Sequence, residues 1–339
     1  MNRIAPSRSW RTGVVFALSL FILSCGCSSN STFADESGAD GALETSGSSP
    51  VRRKQEQLRV ELTSAKRIVF LGDSITYDGR YVSQFEAWLI ESARRRGRPD
   101  DAPKVINVGL PSETVSGLSE DGHAGGRFPR PDLFDRLDSV LSVTKPDWVV
   151  ACYGINCGIY QPFDESRFQA YQQGINRLHR DVEKTGAKIL HVTPPAFDQL
   201  HFTTPIEGDY NEVMQRYSKW VLQQQNQGWH VVDLHRPMTE AMLRARAVGE
   251  KLQRDGVHPN DKGHDFIAGT LIEALGGTRE PTRSKSDSAT LLTGEQKQAL
   301  QRRMMLLRDA YLTAAGHDRP GIKPGLPIEQ AESQAARIK

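Results

Sequence analysis

Five short, mostly apolar and β-branched runs punctuate the middle of the chain: Ala65–Leu71, Lys104–Val108, Trp148–Tyr153, Lys188–Thr193 and His230–Leu234. Runs that are apolar on both faces suit central strands of a parallel sheet, buried from above and below. Between them the apolar period changes to three and four. Val82, Phe85 and Leu89 share one helical face, as do Leu133, Leu137 and Leu141, and residues 165–184 and 208–226 are long enough for crossover helices. Strand–helix alternation of this kind predicts an open α/β/α sandwich, whose active site lies at the carboxyl ends of the strands.

The two ends of the chain read differently. Residues 13–24 are a continuous apolar run preceded by Arg3, Arg8 and Arg11 without an acid, the layout of a secretory signal. The run is shorter than the roughly 20 residues that span a bilayer. Residues 26–50 hold seven Ser and four Gly but only Phe33 and Leu43 as large apolar side chains. Such a segment buries too little to offset its ordering entropy and reads as a tether, with its boundary set at 55. Two processing sites are open. Ile22-Leu23-Ser24-Cys25 is similar to a lipobox, which would lipidate Cys25 and anchor the chain to a membrane, and Thr32-Phe33-Ala34 suits ordinary signal peptidase. Either way the protein is expected to be exported, as a lipoprotein or as a periplasmic or secreted protein.

A globular domain is expected over residues 56–278, and a linker with a helical tail over 279–339. In the tail Leu300, Met304, Leu307, Tyr311 and Ala314 form a narrow apolar stripe, expected to dock back onto the sandwich.

Composition narrows the function classes. The chain has 339 residues, 38% hydrophobic and 25% charged, which excludes a collagen or a rod. Lys and Arg total 43 against 41 acids. Without the three N-terminal arginines the balance is about −1, so bulk charge would not hold nucleic acid. Four cysteines without a C-x-x-C pair make neither a disulfide scaffold nor a zinc site.

Candidate chemistry sits at the strand exits. The first strand runs into Gly72-Asp73-Ser74, placing a hydroxyl above the sheet and a backbone N–H beside it. The second ends in Asn107-Val108-Gly109, where a glycine admits close backbone approach. The third ends in Gly154-Ile155-Asn156, an amide able to donate to developing negative charge. After the last strand, Asp255 and His258 lie three residues apart, so the carboxylate can orient the imidazole and leave its other nitrogen to take a proton from a serine. Singly, each is also an ordinary cap or turn. In this order they supply a nucleophile, a base with its orienter, and three oxyanion donors.

These blocks resemble those of the SGNH, or GDSL-type, hydrolases: G-D-S at Ser74, the block glycine at Gly109, G-x-N at Asn156 and D-x-x-H at Asp255 and His258. The resemblance implies a five-stranded, flavodoxin-like parallel sheet and a serine esterase that needs no metal or other cofactor. Ser74 would be the nucleophile, His258 the general base and acid, and Asp255 the holder of the tautomer. The N–H groups of Ser74 and Gly109 and the side chain of Asn156 would form the oxyanion hole. One departure stands out: the family usually reads G-x-N-D, and here the fourth position is Cys157. Cys152 lies nearby, so a Cys152–Cys157 bridge and two buried thiols are both open.

The Gly-rich segment Pro111–Pro131 follows the block glycine, and long loops of this kind are often functional. His123, Arg127 and Phe128 from it, with Tyr160 stacking on a sugar ring, are candidates to line the substrate cleft. The arrangement resembles exported carbohydrate esterases, which implies acetyl esters on a saccharide. A lysophospholipase or thioesterase is the alternative within the family. A catalytically inactive, tethered saccharide-binding module is the alternative outside enzymology.

Overall fold

The structure, a computed structural model, describes residues 50–278 and 292–338. The expected signal segment, both processing sites with Cys25, most of the tether and the 279–291 linker lie outside the described residues.

All five expected strands form, within one or two residues at each end: β1 (Arg67–Gly72), β2 (Lys104–Asn107), β3 (Trp148–Cys152), β4 (Lys188–Val192) and β5 (His230–Val232). They make one parallel sheet in the order β2-β1-β3-β4-β5. In β1, Ile68, Val69, Phe70 and Leu71 have no exposed surface, so both faces are covered, as the unbroken apolar run requires. Val69 lies in register with Ile106 on one side and Val149 on the other. The chain leaves β1 toward β2 and β3 toward β4, in opposite directions. Neighbouring β1 and β3 are therefore the switch point, where an open sheet leaves a crevice above its carboxyl edge. Ser74 follows β1 and Asn156 follows β3.

The helices are α1 (Pro50–Thr63), α2 (Ser74–Asp78), α3 (Arg80–Arg95), the short turn α4 (His123–Gly126), α5 (Leu137–Thr144), α6 (Glu165–Lys184), α7 (Tyr210–Gln223), α8 (His235–Ala247), α9 (Asp261–Ala274), α10 (Gly294–Ala315) and α11 (Ile328–Ala335). Helix α1 corrects the tether boundary. Residues 50–55 are helical, because Leu58 and Leu62, one turn apart, pack on the core and give the segment an apolar face.

The tail helix docks as expected, against α3, α5 and the edge strand β2. Its start is closed by a capping box between Thr293 and Gln296. Leu300, Met304, Leu307 and Tyr311 are buried, but Ala314 is exposed and Ala315 buried instead. At 3.6 residues per turn, a step of four from Tyr311 returns roughly 40° from its direction and a step of three roughly 60° on the other side. Tyr311 then ties three elements together, since its hydroxyl accepts from Lys104 of β2 at 3.0 Å and donates to Glu332 of α11 at 2.6 Å.

Candidate active site

The turn that presents Ser74 is built by its neighbours. A Cβ on Gly72 would lie 2.2 Å from Thr76 Oγ1 and 2.9 Å from the Cys152 carbonyl, so only glycine lets α2 fold back over the strand ends. Asp73 is extended and caps α2, accepting the Ile75 N–H at 2.9 Å. Burial pushes the Asp73 carboxyl up to about 6, against the opposing pull of the Ile75 N–H, His258 and Arg130. Ser74 itself is half-buried.

His258 arrives from 184 residues away, with Nε2 2.9 Å from Ser74 Oγ. Its loop is organised by Asp255. Oδ1 accepts the backbone N–H groups of Val257 and His258 at 3.1 and 2.8 Å, and Oδ2 pairs with His258 Nδ1 at 2.8 Å. Burial raises the Asp255 pKa, but the bonds from the His258 backbone and ring prevail and hold the carboxylate below its ordinary range. With Nδ1 donating to a carboxylate, Nε2 is left as the acceptor of the serine hydroxyl. The structure thus brings together all three side chains read from the sequence.

The oxyanion groups need one correction. The Gly109 N–H donates to Asn107 Oδ1 at 2.9 Å and is spent within its own turn. A Cβ at Gly109 would lie 2.5 Å from Tyr77 N, so this glycine serves packing against α2 rather than approach to a ligand. Three residues on, Ser112 has a φ of +70°, and its N–H has no hydrogen-bond partner among the described residues. Asn156 Nδ2 donates to the neighbouring Glu113 carbonyl at 3.2 Å, so the amide sits against the Ser112–Glu113 turn. The free backbone donor beside Asn156 is that of Ser112. Its sequence signal, a non-glycine in the left-handed region, becomes visible only with the fold.

Glu113 anchors this turn from below. It is fully buried, pairs with Arg136 at 2.6 and 2.7 Å and accepts the Tyr153 hydroxyl at 2.6 Å. Arg136 also donates to the Val108 carbonyl at 2.8 Å. Burial raises the Glu113 pKa, and the Arg136 guanidinium opposes it.

The loop after the turn is cinched rather than open. Thr114 donates its N–H to the Pro131 carbonyl and accepts the Leu133 N–H, both at 3.0 Å, and Arg130 grips Glu120 through two bonds of 2.6 Å. His123 bonds Glu120 through Nδ1 at 3.1 Å and meets Phe128 edge-on, and burial lowers its pKa. Arg127 is exposed and donates to the Ala124 carbonyl at 2.8 Å. Sequence reasoning passed over Arg130, which is buried with its guanidinium 5.2 Å from the Tyr160 ring. Tyr160 does not stand free to stack on a sugar. Its ring stacks on those of Phe202 and Tyr210, at interplanar angles of 16° and 30°, and its hydroxyl donates to Asn156 Oδ1 at 3.0 Å.

Cys152 and Cys157 are unpaired thiols. Burial pushes the Cys157 thiol up to about 12, and it faces the backbone of Val115 and Ser116, where a carboxylate at this position would have accepted. Among the described residues, no group of three or more His, Cys, Asp and Glu side chains is placed to hold a metal ion.

No curated protein matches the chain. Among solved structures, the acetylxylan esterase Axe2 from Geobacillus stearothermophilus is 22% identical, covers 66% of this chain and 100% of its own, and has a TM-score of 0.48. The acetyl xylan esterase AlAXEase is 20% identical over 61% of this chain and 98% of its own, with a TM-score of 0.47. The model of the GDSL-like lipase/acylhydrolase family matches residues 70–266, more than half of the chain and all of the strand exits described above. The chain belongs to that family, the SGNH hydrolases, and is a carboxylic ester hydrolase.

Proposed function

We propose that the protein is an exported serine esterase that removes short acyl groups, acetyl above all, from a carbohydrate. The observation that carries the mechanism is the continuous line Ser74 Oγ–His258 Nε2–His258 Nδ1–Asp255 Oδ2, at 2.9 and 2.8 Å. Ser74 Oγ passes its proton to His258 Nε2 as it bonds the ester carbonyl carbon. The carbonyl electron pair moves onto oxygen, which is held by the N–H groups of Ser74 and Ser112 and by Asn156 Nδ2. Collapse expels the alcohol, protonated by His258, and leaves the acyl group on Ser74. Water then repeats the cycle, with His258 again base and then acid. Each oxyanion donor is worth about 2.7–4 kcal/mol of barrier.

The substrate class is supported by the polar character of the loop next to Ser112. Arg127 is exposed in it, a group that bonds hydroxyls rather than an alkyl chain, while Ser119, Glu120 and His123 brace the loop from within. Export is supported by the basic, then apolar, then Ser/Gly-rich order of residues 1–50, with Cys25 or Ala34 as the processing point.

The test is hydrolysis of p-nitrophenyl acetate, butyrate and octanoate by the chain from Asp35 onward, with Ser74→Ala as control. Acetate-selective turnover that disappears in the variant is expected. Preference for octanoate would favour a lipid or thioester substrate, and turnover equal to that of Ser74→Ala would sink the serine mechanism.

A further inference from the structure

Asn156 offers two N–H bonds from Nδ2, and one is used on the Glu113 carbonyl. Whether the other faces the reacting centre depends on what holds the carboxamide from its oxygen side. That partner is Tyr160, four residues later, whose hydroxyl reaches back to Oδ1 at 3.0 Å. Turned over, the amide would set its oxygen against the Glu113 carbonyl oxygen, which cannot donate, and would lose the phenol bond to Oδ1, so the Glu113 carbonyl selects the orientation and the Tyr160 hydroxyl fastens it.

The loop bends at a cost to make this bond. Ile159 and Tyr160 have φ values of +47° and +55°, a region that side chains other than glycine seldom enter. The bend is closed by the Ile159 N–H on the Asn156 carbonyl at 2.9 Å. The Tyr160 ring packs 5.2 Å from Phe202 and 5.1 Å from Tyr210, with Arg130 over it, which fixes where the hydroxyl reaches. Strained backbone of this kind persists where the surroundings over-determine it, and here the packing delivers one hydroxyl to one amide.

The geometry points to Tyr160 as a positioning residue for Asn156: its hydroxyl locks the carboxamide so that the free N–H of Nδ2 faces the reacting centre. A phenol donating to Oδ1 also polarises the amide, strengthening its N–H as a donor when negative charge develops. The role fits the substitution at the next position, where Cys157 brings no carboxylate to the loop. The inference rests on the reading of Asn156 as an oxyanion donor. It differs from the sequence expectation for Tyr160, which placed its ring against the substrate.

Tyr160→Phe keeps the ring and removes the bond. It is expected to lower kcat for p-nitrophenyl acetate roughly tenfold with KM little changed, since the contact matters when charge forms. In an Asn156→Ala background the same change is expected to cost nothing, because the amide it positions is gone. An equal loss in both backgrounds, or no loss in the first, overturns the proposal. A second readout does not depend on turnover. In 15N-labelled protein the Asn156 side-chain resonance, identified by its disappearance in Asn156→Ala, is expected to exchange its protons at least tenfold faster in Tyr160→Phe. An unmoved exchange rate also overturns the proposal. Loss of Ser74-dependent turnover in the unaltered protein would instead remove the esterase reading, and the exchange measurement would still decide the place of Tyr160.

Discussion

Arg319 Nε donates to the carbonyl of Pro111 at 2.9 Å, joining the C-terminal tail to the turn that presents Ser112. Its guanidinium also lies 5.3 Å from the Phe128 ring. A second tail arginine acts on the other side. Arg308 donates to the Tyr77 carbonyl at 2.6 Å and lies 3.8 Å from the centre of the Tyr77 ring, on the helix that begins with Ser74. Both arginines fall outside the residues matched by the family model. The tail therefore supports both turns of the site from beyond the family's own segment.

Removing the Pro111 contact should loosen the Ser112 turn while leaving the core packed. Arg319→Ala is expected to lower kcat/KM for p-nitrophenyl acetate by about tenfold, the worth of one charge-assisted hydrogen bond. Arg319→Lys should recover part of it. Steady-state kinetics beside a denaturation curve separate this from general destabilisation, and unchanged kinetics would reduce the tail to a packing element.

Asp255 holds His258 through the ring and the backbone at once. In Asp255→Asn the amide can still accept the backbone N–H bonds, but it no longer carries the charge that favours the imidazolium and selects the tautomer. We expect kcat to fall by roughly 10²–10⁴ with little change in KM. Measured kcat within a factor of three of the unaltered protein would show that His258 is oriented by other groups.

Asp73 makes the folded state sensitive to pH between its unfolded and folded pKa values. Its carboxyl titrates near 3.8 when unfolded and about 6 when folded, raised by burial. A raised folded pKa contributes stability that is present below the unfolded value and lost as pH climbs through the folded one. Asp73→Asn keeps an oxygen for the Ile75 N–H and does not titrate. The unaltered protein should therefore lose about 3 kcal/mol of stability relative to Asp73→Asn between pH 3 and pH 7. Urea unfolding of both proteins across that range is the check, and a pH-independent difference would place the Asp73 pKa near its ordinary value.

The buried Arg136–Glu113 pair should be intolerant of losing one member. Arg136→Met leaves a carboxylate in the interior with only the Tyr153 hydroxyl, and such truncations cost about 3–5 kcal/mol. Replacing both, as Arg136→Met with Glu113→Gln, should cost less than the single change. Denaturant midpoints of the two variants decide it, and a milder single variant would show that the charge of Glu113 is neutralised elsewhere.

Much of this molecule is local enough to be read along the chain. A central strand buried on both faces must be largely apolar, so β1 and β3 announce themselves, and the shorter apolar runs of β2, β4 and β5 follow the same pattern more weakly. A helix laid on a sheet must repeat every three or four residues, so α3, α6 and α10 do too. Ser74, Asn156, Asp255 and His258 were legible because each lies at a strand exit or in one short loop, where spacing alone implies a shared edge. What the tertiary structure decided are relations between distant segments. Whether an N–H is free depends on what its neighbours accept, which is why the Gly109 N–H is spent on Asn107 while that of Ser112 has no partner among the described residues. Whether an aromatic ring is a platform or a prop depends on which faces are covered, and Phe202 and Tyr210 stack against Tyr160. Arg308 and Arg319 look like solvated tail charges in the sequence, because nothing local says that α10 returns them to the turns beside Ser74. Periodicity records which side of an element faces inward; only three-dimensional packing assigns the partner that it meets there.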